Sequence, residues 1–142
     1  MVSLYGSFIK MKNRIHFISK TKASEKVRQL INENIFVAEL HGKEIQSNTD
    51  YLSAAWKAFK MPEDEEPSWP GHDDWIRDLD WLNSSGYAVF ISDYDEFLKK
   101  DRDAKEYVMK SYRDFILPFW EDEVEKVVMG GVAKSFQVYL IK

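Results

Sequence analysis

The chain has 142 residues and a mass of 16.8 kDa, with 44% hydrophobic, 15% aromatic and 31% charged residues. That is enough apolar material to bury one compact core, too short for two full-sized domains, and too aromatic for a disordered chain. Zero cysteines exclude a disulfide framework, a thiolate metal site and a cysteine nucleophile together, and they fit a reducing compartment, so the expected location is the cytoplasm. No run approaches the roughly 18 apolar residues of a membrane span, and the N-terminus lacks the unbroken apolar stretch of a secretion signal.

The net charge of −4 conceals an asymmetry. Residues 1–36 carry seven Lys/Arg against two Glu, a balance of +5, which leaves −9 on the remainder. A body that acidic repels the phosphates that dominate nucleic-acid affinity, so direct binding of DNA or RNA is not expected and the natural partners are basic.

Residues 1–36 read as a basic N-terminal extension that either folds against the acidic body or covers its acidic helix. Within it, Ser7 to Ile9 and Arg14 to Ser19 are expected to pair across Lys12–Asn13. Val27, Leu30 and Ile31 recur at helical spacing after Ser24, a candidate N-cap. Phe36 to Leu40, stopped by His41-Gly42, reads as the first core strand. Leu52, Ala55, Trp56 and Phe59 share one face of a helix capped at Ser47, Asn48 or Thr49 and closed before Pro62. Pro62, Pro67, Pro70 and Gly71 predict a loop over 62–71.

A helix is expected from about His72, with Asp73 and Asp74 at the positive end of its dipole. At about 100° per residue its two faces are Trp75, Ile76, Leu79, Leu82 and, opposite, Asp74, Arg77, Asp78, Trp81. Tyr87 to Ile91 is nearly all apolar, as in a central parallel strand buried on both faces. Phe97-Leu98 falls in a short helical stretch. Tyr107 to Phe119 forms a longer amphipathic helix that Pro118 kinks or ends, with Glu121 to Met129 able to continue it. Gly130-Gly131 supplies a stop, and Phe136 to Ile141 a last strand. Strands alternating with helices predict a small parallel α/β layer with right-handed crossovers.

The most unusual local feature is the acidic run Glu63-Asp64-Glu65-Glu66 followed by Asp73, Asp74, Asp78 and Asp80. Eight carboxylates in residues 63–80 face one cation, Arg77. A solvated face is the ordinary reading of such a run. Trp81 beside the carboxylates tips it toward an interface for a basic partner, because tryptophan next to charge is a hot-spot composition. Enzymatic readings do less well. Nothing desolvates one aspartate of a pair and not its neighbour, as acid and base roles require. His72, Asp73 and Asp74 point in different directions around a helix and cannot jointly grip an ion. His16 and His41 stand alone, and no phosphate-cradling glycine loop is present. No catalytic residue, metal or cofactor is therefore assigned. Trp56, Phe59, Tyr107, Tyr112, Phe115, Phe119 and Trp120 keep helical spacing without a basic stripe, so they are expected in the core and not as base-stacking platforms.

Leu40-His41-Gly42-Lys43-Glu44-Ile45, a helix ending in Phe59-Lys60-Met61-Pro62, then Ser68-Trp69 and the run Asp74-Trp75-Ile76-Arg77-Asp78-Leu79-Asp80-Trp81-Leu82 together resemble the barstar family of intracellular ribonuclease inhibitors. The resemblance covers roughly 37–142 and leaves 1–36 outside. It implies a three-stranded parallel sheet packed with helices, whose second helix and preceding loop plug a secreted ribonuclease by imitating RNA phosphates. Asp74 matches the family's central acidic position and Trp69 an aromatic common in its members. Ser68 and Pro70 stand where members commonly carry an asparagine and the first helical aspartate. Either Asp64, Glu65 and Glu66 replace the lost charge or the target differs. With the acidic loop and helix read above, the expected partner-binding set is Asp64, Glu65, Glu66, Ser68, Trp69, Asp73, Asp74, Arg77, Asp78 and Trp81. The implied partner is a basic nuclease, a bacterial ribonuclease toxin opposed by an immunity protein, with a monomer expected and no membrane involved. The alternative is a barstar-like protein-binding module that has lost nuclease inhibition.

Overall fold

The structure is a computed structural model, and it describes residues 12–142. Its centre is a parallel sheet of four strands, one more than the resemblance implies. They are β1 (Ile15–Ile18), β2 (Ile35–His41), β3 (Gly86–Ser92) and β4 (Ser135–Ile141), in the spatial order β1-β4-β3-β2. Interior β3 is buried at Gly86 to Ile91, which is why Tyr87 to Ile91 is almost continuously apolar.

Side chains alternate between the two faces of the sheet. Tyr87, Val89, Ile91, Phe136, Val138 and Leu140 enter the main core, whereas Ala88, Phe90, Tyr139 and Ile141 enter a smaller cluster on the other side. That second face is covered by α1 (Lys20–Asn32) through Ala23, Val27 and Leu30. The main face is covered by α2 (Asn48–Ala58), α3 (Trp69–Ile76) and a long C-terminal helical stretch beginning with α4 (Arg102–Lys110). Across β1, β4 and β3, His16 stacks on Tyr139 at 4.7 Å and Tyr139 on Phe90 at 4.6 Å.

Several sequence expectations are corrected. Arg14 to Ser19 does contain a strand, but it pairs in parallel with β4, Ile15 opposite Val138, and Ser7 to Ile9 lie outside the described residues. Asn13 is no turn residue. Its side chain donates to the carbonyls of Leu117 and Lys134 and accepts from the Phe136 N–H, which ties the strand to the C-terminal half. Residue 36, where the sequence reading divides the chain, lies inside β2. The cap of α1 is Ser19, accepting from the Lys22 N–H at 3.3 Å, and not Ser24. Near Phe97 the chain makes a 3₁₀ turn over Tyr94–Glu96. Pro118 does not end the C-terminal helix. After α4 the chain widens into π-type turns at Ser111–Ile116 and Phe119–Glu123 and closes with α5 (Val124–Val127). Pro118 sits between the widened turns, where the i to i−4 pattern its ring disturbs is already broken.

One buried polar network fixes how α3 sits on the core. His72 is fully buried on α3, and its Nε2 lies 2.8 Å from the Tyr51 hydroxyl, which lies 2.7 Å from the Tyr112 hydroxyl. Its Nδ1 is 3.0 Å from an Asp73 carboxylate oxygen. One arrangement satisfies the whole chain: with Nδ1–H donated to Asp73, Nε2 accepts from Tyr51 and Tyr51 accepts from Tyr112. Every buried donor of the network then has an acceptor.

Two measurements check this architecture. Leu30→Ala empties part of the α1 face and is expected to cost about 2–5 kcal/mol in denaturant unfolding. Burial pushes the hydroxyl pKa values of Tyr51 and Tyr112 well up, and Tyr87 to about 12. Unfolded tyrosine titrates near 10, so above that pH the native state binds more protons than the unfolded one, and stability falls as pH rises. The urea midpoint should hold steady below about pH 10 and drop as pH climbs toward about 12; a flat midpoint through that window would contradict it.

Candidate functional site

The acidic region is built around α3, which starts three residues earlier than the sequence reading has it. Ser68 is its N-cap, accepting from the Gly71 N–H at 3.1 Å, and Pro70 occupies the first turn, where a missing N–H costs nothing. Gly71 is required there because a Cβ would come within 2.8 Å of the Trp56 ring. The helix ends at Ile76, not near Leu82. Buried Leu79 adopts φ 57°, and a 3₁₀ turn over Asp80–Leu82 follows. No glycine or proline marks that stop. The burial of Leu79 sustains a left-handed conformation that costs a non-glycine residue roughly 1 kcal/mol.

Asp74, Arg77, Asp78 and Trp81 therefore do not share one helix face. Asp74 lies on α3 and Arg77 at its C-cap, while Asp78 and Trp81 are carried by the succeeding turn. The Asp74 side chain is 78% exposed and 3.6 Å from Arg77, a solvated i,i+3 pair of small energetic weight. Arg77 is held elsewhere, donating from Nε to the Asp73 carbonyl at 2.9 Å with its guanidinium 5.8 Å from the Phe119 ring. Asp78 accepts the Asp80 N–H at 3.0 Å. Burial raises the Tyr87 pKa, and the negative charges of Asp80 and Asp78 raise it further. Trp81 is 38% exposed, and its indole N–H is donated to the Phe59 carbonyl at 2.9 Å.

The preceding loop is joined to the helix. Glu65 accepts from the Trp75 indole N–H at 3.1 Å, and the Trp56 indole donates to the Pro62 carbonyl at 2.7 Å. Asp64 and Glu66 are exposed beside it. Trp69 is half-buried, stacked on Tyr51 at 5.4 Å and meeting Tyr107 edge-on at 4.6 Å. The expected residues are thus carried by three successive segments: Asp64, Glu65 and Glu66 by the loop, Ser68, Trp69, Asp73 and Asp74 by α3 and its N-cap, and Arg77, Asp78 and Trp81 by the C-cap and the turns after it.

Sequence reasoning misses three contributors. Trp56 is expected only in the core, yet it also seats the loop and the start of α3. Tyr107 and Phe115, expected in the core as well, are 50% and 65% exposed. They line a cleft of about 440 Å³ with Asp73, Arg77 and Ile76. For Phe115 the cause is the π-type turn at Ser111–Ile116, whose extra residue rotates the succeeding side chains away from the 3.6-residue repeat. No local signal in the sequence announces it.

Chemically, the surface offers carboxylates in water beside anchored aromatics, a composition suited to a cationic, partly apolar counterpart. No group of three or more His, Asp or Glu among the described residues could hold a metal ion. No curated protein and no solved structure matches the chain. A family model described as "Barstar (barnase inhibitor)" matches residues 35–129, from the start of β2 to beyond the end of α5, and includes the whole acidic surface. The chain belongs to the barstar family.

Proposed function

We propose that this protein is a non-enzymatic inhibitor that closes the active site of a basic ribonuclease with the surface formed by the 63–68 loop, α3 and the 78–81 turn. In the finer form of this reading it is an immunity protein, acting in a bacterial cytoplasm against a ribonuclease toxin. The observation that carries it is the state of Asp74 at the crest of the surface. Its carboxylate is held by one long, solvent-screened contact and by no buried ion pair, so its charge is available to a partner. Trp81 supports the reading, because its ring edge is accessible while its N–H is already satisfied inside, so burying the ring against a partner strands no polar group.

The net charge of −4, with eight carboxylates and one cation over residues 63–80, adds modest long-range steering toward a cationic enzyme, and salt weakens that steering. A second reading, a family member that binds a different protein through the same surface, is favoured by one observation. Ser68 and Pro70 serve here as helix cap and first-turn residue and bring no charge to the crest.

Titration against barnase decides between them. The parent chain should bind and inhibit, and Asp74→Ala should cost about 2–5 kcal/mol of affinity, with Trp81→Ala costing more than about 1 kcal/mol. Affinity should fall as salt is raised from about 0.05 to about 0.5 M. Absence of inhibition by the parent would exclude barnase as the target and favour the second reading, and equal affinity of parent and Asp74→Ala would sink the assignment of the surface.

A further inference from the structure

The loop between α2 and α3 carries four exposed carboxylates, Glu63, Asp64, Glu65 and Glu66, and both of its ends are fixed. At one end the Trp56 indole donates to the Pro62 carbonyl at 2.7 Å, and at the other Ser68 caps α3. Pro62 and Pro67 restrict the backbone at the same two places. Between them the Glu65 N–H reaches back to the Pro62 carbonyl at 3.4 Å, a long turn contact that directs no side chain. Among the described residues, one hydrogen bond ties a side chain of 63–67 to another segment. The Trp75 indole N–H donates to Glu65 Oε1 at 3.1 Å.

Trp75 is itself anchored. It sits on α3, half-buried against the main core, and its ring meets that of Trp81 edge-on at 5.6 Å. Trp81 in turn donates its indole N–H to the Phe59 carbonyl. The donor that holds Glu65 therefore stands on a fixed ring, and a glutamate that in isolation samples many rotamers is directed before any partner arrives. An indole N–H bonded to one carboxylate oxygen leaves the charge in place and the second oxygen open to a cation. Glu63, Asp64 and Glu66 have no such tether among the described residues, so the cost of ordering them falls on whatever they bind.

We infer that Trp75 is a positioning residue of the partner surface: by holding Glu65 it makes that carboxylate, out of the four in the loop, the one that meets a cation of the ribonuclease. This rests on the inhibitor reading. It adds that the loop contributes through one directed carboxylate and not through a diffuse negative potential spread over residues 63–66.

Two measurements test this on the full chain. In the free protein, the Trp75 indole proton resonance should shift in Glu65→Ala and move less in Glu65→Gln, whose amide oxygen still accepts; no shift in Glu65→Ala removes the link. Against barnase, Glu65→Gln should bind about ten-fold more weakly, whereas Asp64→Asn and Glu66→Gln, which each delete the same unit of charge, should cost less than about three-fold. Trp75→Phe keeps an aromatic ring beside Trp81 and deletes the donor. It should weaken binding in the parent but not in Glu65→Ala, since it acts through Glu65. If Trp75→Phe lowers the unfolding temperature, the comparison among the loop variants, all at exposed positions, decides alone. Equal losses for the three loop carboxylates, or the same loss from Trp75→Phe in both backgrounds, would overturn the inference, and the inhibitor reading would stand as long as Asp74→Ala still weakens binding. If the parent does not bind barnase, the interface role of Glu65 and Trp75 falls along with barnase as the target.

Discussion

An eight-residue helix does not hold itself in water, and α3 does not have to. Four indole N–H groups fasten it and its neighbours: Trp56 to the Pro62 carbonyl, Trp75 to Glu65, Trp81 to the Phe59 carbonyl, and Trp120 to the Ile76 carbonyl at the helix end. Each tryptophan contributes apolar area and one directed hydrogen bond, so each fixes a position as well as a distance. The fifth, Trp69, is clamped between Tyr51 and Tyr107. Remove this framework and the acidic residues would still be acidic, but they would no longer form a surface with a shape.

The same economy governs the polar interior. The network from Tyr112 through Tyr51 and His72 to Asp73 leads from the core to the flank of the exposed ridge without leaving a donor unpaired. Its inner members, Tyr112, Tyr51 and His72, are buried, while Asp73 at its outer end is part-exposed. Rigidity beneath and charge above is a useful division for a binding surface. The helix backbone that carries the carboxylates is fixed by the packing beneath it, so its ordering is met in folding.

Beneath α3 lies a sheet that needs cover on both faces, because every one of its strand pairings is parallel. The family match begins at β2, so β1 and α1 precede it. They nonetheless supply the fourth strand and the whole lid over Ala88, Phe90, Tyr139 and Ile141. Basic residues on α1 and carboxylates on α3 occupy opposite sides of this sandwich, which keeps the two charge regions apart and leaves the acidic side uncovered by α1.

Periodicity and turn chemistry already specified the parallel α/β class, the helix over Leu52 to Phe59, the central strand at Tyr87 to Ile91, the last strand and the acidic stretch, since each is written in the spacing of neighbouring residues. The run Asp74 to Leu82 was legible only as a family resemblance, and the single helix that its spacing suggested ends at Ile76. The features that the linear chain could not state depend on contacts between distant residues. The stop at Ile76 is set by the burial of Leu79 and not by any breaker, and the exposure of Phe115 by a widened turn. The partner of β1 lies more than a hundred residues away along the chain, at β4. The sequence thus determined which residues carry charge and which seek burial. Only the tertiary structure decided which carboxylates stand in water, because exposure is a property of everything packed around a residue and not of its neighbours in the chain.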